Sequence, residues 1–171
     1  MRQLDGKIAI ITGGSRGIGR AVALDMAEAG ASIVVVARDK NRLEETCERI
    51  KANGGSAIAV SCNLSNENEI SNVVQSTIKQ YGKIDILANI GHSDIIEQPL
   101  ETMEVSDVIH SFQTGPIASM LLMQECFPYL KESAGTIINV SSIYAQFGGK
   151  GYVEHCMAKS AIEALSHMAA V

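Results

Sequence analysis

A doubly wound α/β fold built on a parallel sheet is predicted by two features of the sequence. The first is an apolar run over residues 7–12 that breaks into Gly13-Gly14-Ser15-Arg16-Gly17-Ile18-Gly19 and resumes as a helical pattern. The second is the alternation, further on, of short β-branched runs with amphipathic, charge-rich stretches, the period of a sheet covered by helices on both faces. The 171 residues, 46% of them hydrophobic, are enough to bury one substantial core, and residues 1–171 are read as a single domain.

The elements follow in order. After the first apolar strand, the bare backbone of Gly13, Gly17 and Gly19 leaves room for phosphate groups against the positive end of the next helix. Together with Ser15, Arg16 and Ile18 these glycines form the predicted pyrophosphate cradle of a dinucleotide. The helix is expected to turn Ile18, Val22, Met26 and Ala29 to one face. Ser32 to Ala37 reads as a buried strand, and Arg38 follows at its carboxyl end. A carboxylate there suits the 2′-hydroxyl of NAD and a cation the 2′-phosphate of NADP, so Arg38 and Arg16 predict NADP(H) rather than NAD(H).

Residues 39–53 form a charged helix closed by Gly54-Gly55, and residues 56–62 a third strand leading to Asn63-Leu64. Ser65 is placed as the cap of a helix running to Tyr81, stopped by Gly82. Residues 84–91 are the fourth strand with its loop, and His92 beyond them is read as an exposed loop histidine. Residues 103–130 are broadly helical, with a kink expected at Gly115-Pro116. Residues 135–142 make a fifth strand whose polar end, at Ser142, faces the ligand crevice of an open parallel sheet. A last helix starts near Tyr152 and carries His155 and Lys159, one turn apart on one face. The expected strand order is 3-2-1-4-5.

The spacing Thr12-Gly13-x-x-x-Gly17-x-Gly19 resembles the short-chain dehydrogenase/reductase family, and the resemblance runs from about residue 4 to the last. It implies a Rossmann-like sheet and hydride transfer between NADP(H) and a small carbonyl or secondary alcohol. Asn63-Leu64 stands where the family carries Asp-Val or Asp-Leu near the adenine. Asn89 matches the first asparagine of the family's fourth-strand motif, and Asn89 and Gly91 are placed beside the cofactor, while Ile90, Gly91 and His92 depart from the motif.

The family's active-site asparagine falls on Phe112 or Gly115, depending on register, with Gln113 the nearest amide. Lys159 and Ser142 match the family's catalytic lysine and serine, but His155 stands where tyrosine is usual. The resemblance therefore implies that Ser142 polarises the substrate oxygen, His155 stands in as proton donor or acceptor, and Lys159 holds the ribose. Tyr152 and Tyr144 are alternative proton donors, each read first as a packing residue.

Relatives continue with a sixth strand, a substrate lid and a seventh strand. This sequence stops inside the helix carrying Lys159, which leaves the fifth strand an expected edge. The two long helices, residues 103–130 and 152–171, are expected to pair with another subunit in a homo- or hetero-oligomer. The alternative to an oxidoreductase is a catalytically silent NADP-binding or subunit-interaction protein of the same origin.

A net charge of −5 argues against nucleic acid as a partner. No leader-like apolar core and no run of the ~18 apolar residues needed for a membrane span is present, so a cytoplasmic protein without a membrane partner is expected. Cys47, Cys62, Cys126 and Cys156 form no paired motif and read as free thiols. His110 and His167 lack ligand-spaced partners, and no metal site is expected.

Overall fold

Short β-branched segments separated by capped helices pair as one parallel sheet in the order 3-2-1-4-5, as expected. The computed structural model describes residues 2–170. Along the first half run β1 (Ile8–Thr12), α1 (Gly17–Glu28), β2 (Ser32–Ala37), α2 (Lys40–Ala52), β3 (Ser56–Ser61), α3 (Glu67–Tyr81) and β4 (Ile86–Asn89). The second half holds α4 (Val105–Phe112), α5 (Ala118–Ser133), β5 (Thr136–Asn139), a single turn α6 (Tyr144–Phe147) and α7 (Val153–Ala169).

Strand alternation divides the core into two layers. Ala9, Ile11, Ile33 and Val35 face α1 and α2 through Ala23, Ala27, Leu43, Cys47 and Ile50. Ile10, Val34, Val36 and Leu87 face α3 and α5 through Ile70, Val73, Val74, Leu122 and Cys126. Burying a Val, Leu or Ile side chain contributes roughly 1.5–3 kcal/mol, so these two layers supply most of the driving force. Asp85 pins the start of the sheet: its carboxylate accepts from the Ile8 amide at 2.9 Å and from Lys7 and Lys83. These donors hold its pKa below the usual value even though burial pushes the other way.

Three local expectations are corrected. The inner face of α1 is Gly19, Ala23 and Ala27, while Ile18 is 66% exposed at the mouth of a cleft. Small residues let this helix approach the sheet closely, so the large apolar residue at its start is pushed outward. The cap of α3 is Asn66, not Ser65: its side chain accepts from the Asn68 and Glu69 amides. β4 begins at Ile86, because Asp85 is engaged with Ile8 and the two lysines. At Gly115-Pro116, where the helix is expected to be interrupted, Gln113–Ile117 forms a π-helical turn that joins α4 to α5 and absorbs the proline's missing N–H.

β5 pairs with β4 alone, and Ile138 is 45% exposed. Asn89 donates to Asn139 at 2.8 Å, and Asn139 to Ser166 at 2.9 Å, so amides tie β4, β5 and α7 together. Among the described residues no helix is long and apolar enough to cross a membrane.

Candidate functional site

A cleft of about 620 Å³ opens at the carboxyl ends of the strands. Its floor is the loop between β1 and α1. Gly13 has a φ of +71°, and a Cβ on it would come within 3.0 Å of the Gly91 Cα. A Cβ on Gly19 would stand 2.3 Å from the Gly13 carbonyl oxygen. Only glycine fits at either place, and the backbone left bare is the start of α1 at Gly17. The loop is held rigidly. Thr12 Oγ1 accepts from the Ile90 and Gly91 amides at 2.9 and 2.8 Å, and the Thr46 hydroxyl donates to the Gly14 carbonyl at 3.1 Å. A bare, fixed helix start in a cleft suits a dinucleotide pyrophosphate.

The structure brings Gly13, Ser15, Arg16, Gly17, Ile18, Gly19, Arg38, Asn63, Leu64 and Gly91 together along this cleft. Among the described residues no carboxylate lies within salt-bridge distance of Arg38, whereas Arg16 is paired with Asp94 across the cleft mouth. Asn63 is partly committed, since its Oδ1 accepts from the Ser65 amide at 3.1 Å, leaving one lone pair and the NH₂ group. Asn89 is absent from the lining: its side chain is turned into the amide tie with β5.

The sequence reading missed Arg42, which lines the cleft beside Arg38 with its guanidinium 3.4 Å from Asp39. The signal was there, because Asp39 caps α2 by accepting from the Arg42 amide, and that turn brings residue 42 back over the strand end. Asp94 and Thr114 also line the cleft, and no local pattern marks them.

None of Ser142, His155 and Lys159 lines the cleft. Ser142, in the loop after β5, is half-buried and its Oγ accepts from the Tyr144 amide at 3.3 Å. Lys159 is 4% exposed and donates to the Val140 carbonyl at 2.7 Å; burial lowers its pKa to about 8. His155, 8% exposed, lies in the first turn of α7. Burial, then the Lys159 charge, lowers its pKa, with Glu154 opposing. The geometry agrees: Nδ1 is buried with no partner, and a second proton on the ring would leave an unpaired donor there.

Tyr144 and Tyr152 stack on each other at 5.0 Å, and Tyr144 presents its ring to His155 at 6.4 Å. Glu97 holds the Tyr152 phenol above its ordinary pKa, which makes it a poorer proton donor. Gln113 points outward and Gly115 carries no side chain, so neither supplies an amide to the site.

His92 is not an exposed loop residue. It is mostly buried at the inner end of the cleft, with its ring edge-on to His155 at 5.5 Å between centroids. Burial, reinforced by the Lys159 charge, lowers its pKa to about 4.

The family model described as short chain dehydrogenase matches residues 7–171. A 12α-hydroxysteroid dehydrogenase of a Clostridium species is 35% identical over 173 residues, covering 97% of this chain and 67% of that protein. A metagenomic short-chain oxidoreductase solved in complex with NADP superposes with a TM-score of 0.92 at 29% identity, over 97% of this chain and 76% of that one. A 7α-hydroxysteroid dehydrogenase solved with NADH and 7-oxo glycochenodeoxycholic acid gives 0.91 at 30% identity, over 97% and 65%. The chain spans between about half and two thirds of the length of the first curated relatives it matches.

Proposed function

Because this chain belongs to the short chain dehydrogenase family, we propose that it binds NADP(H) and interconverts a small carbonyl compound and the corresponding secondary alcohol. The observation that carries the reading is the glycine cradle, whose bare helix start and forbidden Cβ positions fit a dinucleotide pyrophosphate. Structural neighbours solved with NADP and with NADH support a nicotinamide cofactor of either kind. The preference for NADP rests on Arg38, a cation without a carboxylate partner among the described residues, and on Arg42 beside it.

When bound, the nicotinamide supplies or accepts the hydride. The chain's own residues handle the proton and the substrate oxygen. The Ser142 hydroxyl donates to that oxygen, and its engagement with the Tyr144 amide orients the lone pairs away from the substrate. His155 moves the proton. Held neutral, it is a ready acceptor, so alcohol oxidation is the direction favoured at neutral pH. Carbonyl reduction requires the imidazolium and falls as pH rises through the lowered pKa of His155. In this reading Lys159, anchored on the Val140 carbonyl, holds the ribose and keeps positive charge next to His155.

The silent reading has one observation in its favour: Gly115 and Gln113 leave the site without an inward amide. Titration of NADPH by fluorescence, followed by a panel of carbonyls and alcohols, separates the two. Turnover that drops by about 10²–10⁴-fold in His155→Ala supports the enzyme. Binding without turnover in the parent, with turnover gained in His155→Tyr, supports the silent relative. Absence of binding by either nicotinamide coenzyme sinks both.

A further inference from the structure

We propose that His92 is the positioning residue for His155: its imidazole, seated in the space that Gly115 leaves open, covers one side of the acid–base group against water and fixes that group's ring. The inference deepens the proposed function and rests on its assignment of His155 as proton carrier.

The seat is specific. A Cβ on Gly115 would come within 2.7 Å of both Cδ2 and Nε2 of His92, so the π-helical turn offers its backbone as the floor under this ring. No side chain larger than hydrogen is compatible with His92 where it stands. On its other sides the ring is held by hydrogen-bonding groups. Nδ1 lies 3.1 Å from the Ser93 carbonyl and so carries the proton of the neutral ring, which leaves Nε2 as an acceptor facing the Ser111 hydroxyl at 3.4 Å. Ser111 is buried and sits 3.4 Å from the Glu154 carbonyl as well, so its single hydroxyl proton goes either to Nε2 or to the first turn of α7.

His155 is then gripped between two rings set nearly perpendicular to it, His92 at 89° and Tyr144 at 83°. Such edge-to-face contacts fix a ring's plane. They also exclude water from it. His92 is the one of these residues that lines the cleft, so it sets how the proton carrier meets that space. The charged and titratable groups facing this pair are His110 from α4, Tyr144 from α6, and Glu154 and Lys159 from α7. A neutral His92 adds no charge to that set, so it acts on His155 by excluding water and by orientation.

Imidazole resonances of the four histidines, followed by NMR across pH in the intact chain, test this without turnover. In the parent His155 titrates below the ordinary 6.5, and His92 stays neutral down to about 4. In His92→Ala water reaches His155, and its midpoint moves up toward the ordinary value. Gly115→Ala moves it the same way by expelling the His92 ring, and adding Gly115→Ala to His92→Ala produces no further movement. Where turnover is measurable, His92→Ala lowers kcat by up to about 10²-fold, the cost of misplacing a reacting group. A His155 midpoint that stays put in His92→Ala overturns the proposal. Should Gly115→Ala fail to fold, folding restored by pairing it with His92→Ala supports the seat, and failure of the pair to fold overturns it. Failure of the functional reading shows separately, as a parent that does not bind NADPH while its histidines titrate as described.

Discussion

β1 and β2 are sealed along nearly their whole length, whereas alternate residues of β5 reach the surface. The same division runs through the chemistry. At the β1 end the site is made of backbone packed against backbone: Gly19 on the Gly13 carbonyl, Gly13 on Gly91. No substitution is compatible there, and the family's glycine spacing survives at Gly13, Gly17 and Gly19. At the β5 end the site is made of side chains touching side chains, His92 on His155 and Tyr144 on both Tyr152 and His155. Groups of that kind can be exchanged in compensating pairs, and there the pattern has changed. The cradle is constrained by sterics, the acid–base cluster by complementarity.

Acid separates the two ends most strongly. Burial, reinforced by the Lys159 charge, lowers the His92 pKa from the ordinary 6.5 to about 4, so the unfolded chain takes up a proton that the folded chain refuses. Stability that is fully present above pH 6.5 is lost as pH falls toward 4, by up to about 3 kcal/mol, and His155 acts in the same direction. Hydrogen exchange at pH 5 should therefore show α7 and the π-helical turn opening before β1 and β2. Uniform loss of protection across the sheet erases the distinction.

A smaller effect sharpens the cradle side. Gly19→Ala, forced against a carbonyl oxygen, should cost about 1–3 kcal/mol in urea unfolding and remove NADPH binding by calorimetry. Gly17→Ala is the control: nothing lies within 4 Å of its Cβ, but φ is +53°, so it should cost only about 1 kcal/mol. Equal costs for the two would mean that backbone conformation, not close approach, sets the cradle. The smallest effect concerns the cofactor's identity. Arg38→Ala should weaken NADPH by about 10-fold at low salt and leave NADH unchanged, because a charge-assisted bond to a 2′-phosphate is lost.

Much of the fold was legible in the sequence because strand and helix periods, Gly82 and the Asp39 cap act locally. The cleft was legible for the same reason, since glycine spacing encodes a close approach within a few residues. Arg42 escaped although its capping pattern was visible. His92 escaped for a different reason: its burial depends on Gly115, twenty-three residues away, and on α7, and no local window contains both. The Asn89 tie to Asn139 and the pairing of Arg16 with Asp94 are likewise products of chain crossing. Ile18 shows the converse error, an apolar residue assigned inward by period but turned outward by the small residues that let α1 sit close to the sheet.

The wide turn at Gln113–Ile117 sets the phase of everything wound after it. The turn holds one residue more than an α-turn, so α4 and α5 keep their faces in phase across it; excising a residue from the α-helical stretch just after it would instead screw the rest of α5 around by about 100°. Leu122, Met123 and Cys126 would swing off the sheet and polar neighbours would take their place. A stretch that looks like tolerant connecting chain is thus the place where one residue's difference in length is taken up, and at Gly115 it is closed to any side chain.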